Sequence, residues 1–114
     1  MLKQRMKILK DGGVISDSTE QFMCHVIDMI DSLDNIDAQR AETFTTHMAM
    51  SLERIAKGNI VTAMDRDTYQ DVRQCPEFES AQNFYDSFAE ELPLPIPESE
   101  KEFLLLHICN LMQP

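Results

Sequence analysis

Apolar residues recur every three or four positions along most of this chain, the period of an α-helix with one buried face. Leu2, Met6 and Leu9 mark a short first helix, and Gly12-Gly13 gives it a natural stop. A β-hairpin turning at Asp11-Gly12 is the competing reading of that stretch. Ser16-Asp17-Ser18 then offer N-caps, with Glu20 and Gln21 three positions beyond Asp17 and Ser18. The helix they start carries Phe22, Val26, Ile30 and Leu33 on one face, widened by Ile27 and Met29. Asp37 caps the longest helix, which runs to Lys57 and ends at Gly58. Its apolar face is Ala41, Phe44, Met48, Leu52 and Ile55. A short helix fits Arg66–Arg73, broken by Pro76, and another fits Glu77–Glu91, with Phe78, Ala81, Tyr85, Phe88 and Leu92 on one side. The segment Leu92–Pro97 reads as a stiff connector, because each proline lacks an N–H and pushes its predecessor towards extended geometry. The last helix, Glu98–Leu111, opens with Glu98, Glu100 and Glu102 near the positive end of its dipole. Phe103, Leu104, His107, Ile108 and Leu111 line its stripe. The pattern predicts an all-α protein, a compact bundle of five main helices plus a short N-terminal helix.

Length and composition restrict what such a bundle can be. A chain of 114 residues with 43% apolar and 26% charged side chains is expected to fold as a single domain, 1–114, around one core. The net charge is −10 and is unevenly spread. Lys3, Arg5, Lys7 and Lys10 lie in the first ten residues, leaving six basic and twenty acidic side chains in the remainder. Such a surface repels phosphate backbones, so no direct nucleic-acid partner is expected. Cys24, Cys75 and Cys109 form no CxxC and cannot all pair, which fits a reducing compartment and packed thiols. No secretory apolar region or membrane-length apolar run is present, so the expected location is cytoplasmic, without a membrane partner.

Chemistry could reside in His25, His47 and His107. No nucleophile turn, HExxH, HxxxH or Gly-rich phosphate loop accompanies them, so neither an enzyme, a metal nor another cofactor is expected. His107 lies on the apolar stripe of the last helix, and His47 flanks the buried face of the longest one. Arg54 follows His47 by seven residues, two turns on and nearly in line. Its guanidinium could meet an anion placed on the imidazole. Packed core histidines and an ordinary ion pair are the competing account of these residues.

The stretch Phe44-Thr45-Thr46-His47-Met48-Ala49-Met50-Ser51-Leu52-Glu53-Arg54-Ile55 resembles the first histidine motif of the phosphotransferase-system regulation domain, or PRD. Pro97-Glu98-Ser99-Glu100-Lys101-Glu102-Phe103-Leu104-Leu105-Leu106-His107-Ile108 resembles that family's closing motif, 60 residues on from histidine to histidine. The opening Arg5 to Ile15 is similar to the segment leading into some members. Thr46 and Ala49 stand where many members have Asp and Asn. The resemblance implies a compact five-helix domain phosphorylated on histidine by components of the bacterial sugar phosphotransferase system. It makes His47 and His107 the candidate phosphoacceptors and Arg54 a phosphate partner, with His25 structural.

A module of this kind, without a nucleic-acid-binding domain, would act in transcriptional regulation through a regulator protein or as a homodimer. Its phosphoryl donor would be the phosphocarrier or a sugar-specific component. Met23, Met29, Met48 and Met50 would suit an adaptable interface. The alternative is a constitutive helical-bundle adaptor whose histidines are structural and never phosphorylated. A histidine phosphotransfer domain of two-component signalling is a third reading, and it wants an exposed His followed closely by Lys and Gly.

Overall fold

The computed structural model describes residues 1–114. It contains six α-helices and no strand: α1 (Leu2–Asp11), α2 (Asp17–Asp31), α3 (Ala38–Ala56), α4 (Arg66–Arg73), α5 (Phe78–Phe88) and α6 (Glu98–Leu111). A single 3-10 turn, Ala89–Glu91, extends α5. The hairpin reading at Asp11-Gly12 is thereby excluded. Gly13 takes φ +76 just beyond α1, and Gly58 takes φ +80 just beyond α3, conformations that a Cβ strongly disfavours.

Local signals start several helices. The Ser16 hydroxyl accepts from the Thr19 N–H at 3.2 Å, and an Asp37 carboxylate oxygen accepts from the Arg40 N–H at 2.9 Å. Asp65 does the same for Asp67 and Thr68 at the start of α4. Each satisfies donors that a first helical turn leaves without intrahelical partners.

One cluster of 23 buried apolar residues draws on every α-helix, from Met6 in α1 to Leu111 in α6. α6 sits at its centre, packed against α3, α4 and α5, while α2 lies between α1 and α3. That position explains why Leu104, Leu105, Ile108, Cys109 and Leu111 of α6 are all buried, more than one stripe would require. The radius of gyration, 13.7 Å, is close to the roughly 13 Å of a compact chain this long.

Three details differ from or add to the sequence-based expectations. Met23 and Met48 are wholly buried core residues, so among the four interface methionines only Met50 is well exposed. The fifth helix tightens to 3-10 geometry after Phe88 rather than running regularly to Glu91. Glu100 and Glu102, read from the sequence as acids near the positive end of the helix dipole, are buried at 1% and 4% exposure. Each meets an arginine: Arg54 with Glu100 at 2.7 Å, and Arg66 with Glu102 at 2.6 Å.

The basic α1 also finds partners. Lys3 pairs with Asp28, Arg5 with Glu42 and Lys10 with Asp17, fastening it to α2 and α3 by surface contacts of small individual weight. No helix is long and apolar enough to cross a membrane.

Candidate functional site

The long α3 and the central α6 run antiparallel, and their facing polar residues form one seam. Arg40, His47 and Arg54 follow one another at seven-residue intervals on α3, which keeps them nearly in line. Glu100 and His107 have the same spacing on α6. Arg54 therefore meets Glu100, His47 meets His107, and Arg40 meets the end of α6.

The two imidazoles lie edge-to-face, with ring centroids 5.0 Å apart and planes at 64°. His47 is exposed and His107 partly buried. No buried side-chain nitrogen lacks a hydrogen-bond partner, and His107 has none, so its ring nitrogens reach solvent. Both rings open on a cavity of about 440 Å³ that also exposes Asp37, Arg40, Thr43 and Asn110. Phe44, itself buried, forms part of the wall.

Arg54 is not at this cavity. Its two terminal nitrogens donate to both Glu100 oxygens at 2.7 and 3.3 Å, and further to Ser51 Oγ and the Asn59 carbonyl. Val61 N–H completes the Glu100 carboxylate at 2.9 Å. Arg54, expected as a phosphate partner, thus has its guanidinium turned towards the buried Glu100 carboxylate and not towards the imidazoles. Arg40 is the cation that shares the histidines' cavity. Arg40 precedes both motifs, and its one sequence signal is that it stands seven residues before His47, as Arg54 stands seven after. His25 lies exposed on α2, away from the pair.

Burial, and then the neighbouring His47, hold the His107 imidazole below its ordinary pKa of 6.5. The unfolded chain takes up this proton near pH 6.5 and the folded chain only at lower pH. Stability is therefore expected to fall as pH drops below 6.5, with the loss complete once pH is beneath the folded value. His107→Gln should flatten this part of the profile, measured by urea unfolding at about pH 7.5 and about pH 5. Equal slopes for wild type and variant would refute it. Glu102 contributes at lower pH, since Arg66 holds its carboxyl below the ordinary 4.5. Elsewhere, burial pushes the Cys109 thiol up to about 11, and no three His, Cys, Asp or Glu side chains converge as metal ligands.

The paired histidines belong to a stretch that the PRD domain family profile matches, over residues 21–111. The chain belongs to the PRD family. The match takes in α3 to α6 and all but the first turn of α2, and α1 lies outside it. No curated protein and no solved structure matches the chain significantly. PRD domains are regulatory rather than catalytic, and they serve regulation linked to the sugar phosphotransferase system. In this PRD, both motif histidines fall within one cavity, while the arginine of the first motif is engaged by a glutamate of the second.

Proposed function

We propose that this PRD reports the state of the phosphotransferase system by accepting a phosphoryl group on His47 or His107. The observation that carries the reading is the pair of solvent-reachable imidazoles, 5.0 Å apart at one cavity. A packed structural histidine has its ring nitrogens sealed or bonded, and these are neither.

The chemistry requires a neutral ring nitrogen as nucleophile. The depressed pKa keeps His107 in that form at neutral pH. Its nitrogen forms an N–P bond to the incoming phosphoryl group as the donor's own N–P bond breaks. The donor nitrogen leaves with the bonding electron pair and takes up one proton, while the accepting imidazole gives up the proton of its other ring nitrogen. The phosphoryl group thus moves with no net change in protons and without a cofactor. The product carries an added charge of about −1.5 to −2 and three strong acceptors at a seam between two long helices. Such a group can change how that surface packs against a regulator protein or a second copy. The expected output is transcriptional regulation through a protein contact in the cytoplasm.

Incubation with phosphoenolpyruvate and the system's phosphocarrier should load acid-labile phosphate onto wild type. His47→Gln and His107→Gln should each lower uptake, and the double variant should take up none. No uptake by wild type, or undiminished uptake by the double variant, would sink the assignment. Absence of uptake would favour the constitutive adaptor.

A further inference from the structure

Arg40 is tied to nothing that cancels its charge. Its terminal nitrogen donates to the Gln113 carbonyl at 2.7 Å and to the Asn110 carbonyl at 3.4 Å, both neutral acceptors beyond or within the last turn of α6. Asp37 lines the same cavity, but its carboxylate accepts from the Arg40 backbone N–H as the cap of α3. The other seam cation, Arg54, is already neutralised by Glu100. Arg5 and Lys10, on α1, are likewise paired with carboxylates.

A phosphoryl group on either imidazole would stand in the cavity that Arg40 lines. It would also stand near the C-terminal end of α6, because Asn110 follows His107 by a single turn. That end carries the negative pole of the helix dipole, so an anion there needs a cation. A phosphoryl dianion offers the guanidinium paired acceptors and an opposite charge, where the two carbonyls offer only neutral acceptors. The carbonyls left behind can turn to water, since Asn110 is exposed and Gln113 partly so.

We propose that Arg40 is the counter-ion for a phosphoryl group in this cavity, and that it reaches the group by releasing the Asn110 and Gln113 carbonyls. This rests on the reading of His47 and His107 as phosphoacceptors. Phosphorylation then loosens the last turn of α6, where the Met112 N–H bonds the Ile108 carbonyl and Gln113 N–H bonds Asn110 at a long 3.4 Å. Charge at the histidines becomes a change of order at one end of the central helix. Arg40 acts as a phosphate-binding and positioning residue, not as a catalyst.

The test loads the full chain with potassium phosphoramidate, which transfers its phosphoryl group to an imidazole nitrogen and departs as ammonia. Arginine Nε–H signals are followed by NMR, with Arg40→Lys supplying the assignment. The Arg40 signal should shift on phosphorylation while the Arg54 signal stays in place. Exchange of the Met112 amide should rise about tenfold, the scale of one lost hydrogen bond. In Arg40→Gln that amide should exchange fast already and respond little to phosphorylation. Movement of Arg54 instead, or an unchanged Arg40 signal in loaded protein, would overturn the proposal. Loading by phosphoramidate but not by the phosphocarrier would remove the proposed donor and leave the Arg40 assignment standing. Failure to load by either reagent would overturn both.

Discussion

Arg54→Met is expected to cost the fold about 2–4 kcal/mol and to leave phosphate uptake at the histidines intact. Glu100 is the reason. Its side chain is 2% exposed, and Arg54 supplies two of the three hydrogen bonds it accepts. Removing the arginine leaves a buried carboxylate with the Val61 N–H alone. Breaking a buried pair in this way costs about 3–5 kcal/mol, reduced here because Arg54 is 36% exposed and water can follow it in. The melting temperature should fall on the order of 10–20 °C. Replacing Glu100 by Leu in the same chain should restore much of the loss, since the uncompensated charge goes with it. The measurement is a thermal melt followed by the phosphate-uptake assay. An unchanged melt with abolished uptake would return Arg54 to the phosphate, against its contacts.

Phe88→Ala should cost about 3–5 kcal/mol, a large share of the stability of a domain this size. Phe88 is fully buried and touches three rings, with centroids at 5.7 Å to Phe22, 5.5 Å to Phe84 and 5.3 Å to Tyr85. The contact with Phe22 joins the end of α5 to α2 just where the helix tightens into its 3-10 turn, while Phe84 and Tyr85 pack on it from α5 itself. Truncation removes the transfer free energy of the ring and leaves a void that the rigid surroundings fill only in part. Urea unfolding should show a lower midpoint with little change in slope. An unchanged midpoint would mean that the cluster collapses to refill the space.

Much of the fold is legible in individual residues. Asp37 and Gly58 bracket α3, Asp65 and Pro76 bracket α4, and Pro97 precedes α6, each through a rule that acts within a turn. Phe44, Met48 and Leu52 are buried as their spacing requires. The methionines are harder to read, because Met23 and Met48 suit a core as well as an interface and composition does not separate the two. The burial of Glu100 and Glu102 is hard to read for a related reason. Acids near a helix start normally indicate a solvated, dipole-stabilised end, and only the arginines opposite these two make burial tolerable.

The candidate site divides along the same line. His47 and His107 stand out from their motifs, and the sequence brings them forward without any structure. Arg54 stands out equally, yet the arginine in the cavity is Arg40. Both flank His47 at seven residues, and the motif that holds Arg54 says nothing of which one faces the imidazoles.

Caps, helical period, the family's two histidine motifs and the excess of acid are determined by the sequence itself, because each depends on neighbours within a few residues. The antiparallel register of α3 against α6 is decided only in the tertiary structure. It sets Arg54 opposite Glu100, brings the imidazoles together and leaves Arg40 beside them. Charge pairing between helices some 46 residues apart is a property of packing, and packing minimises the number of buried charges left alone. The cation at the site is the one that this requirement leaves unclaimed.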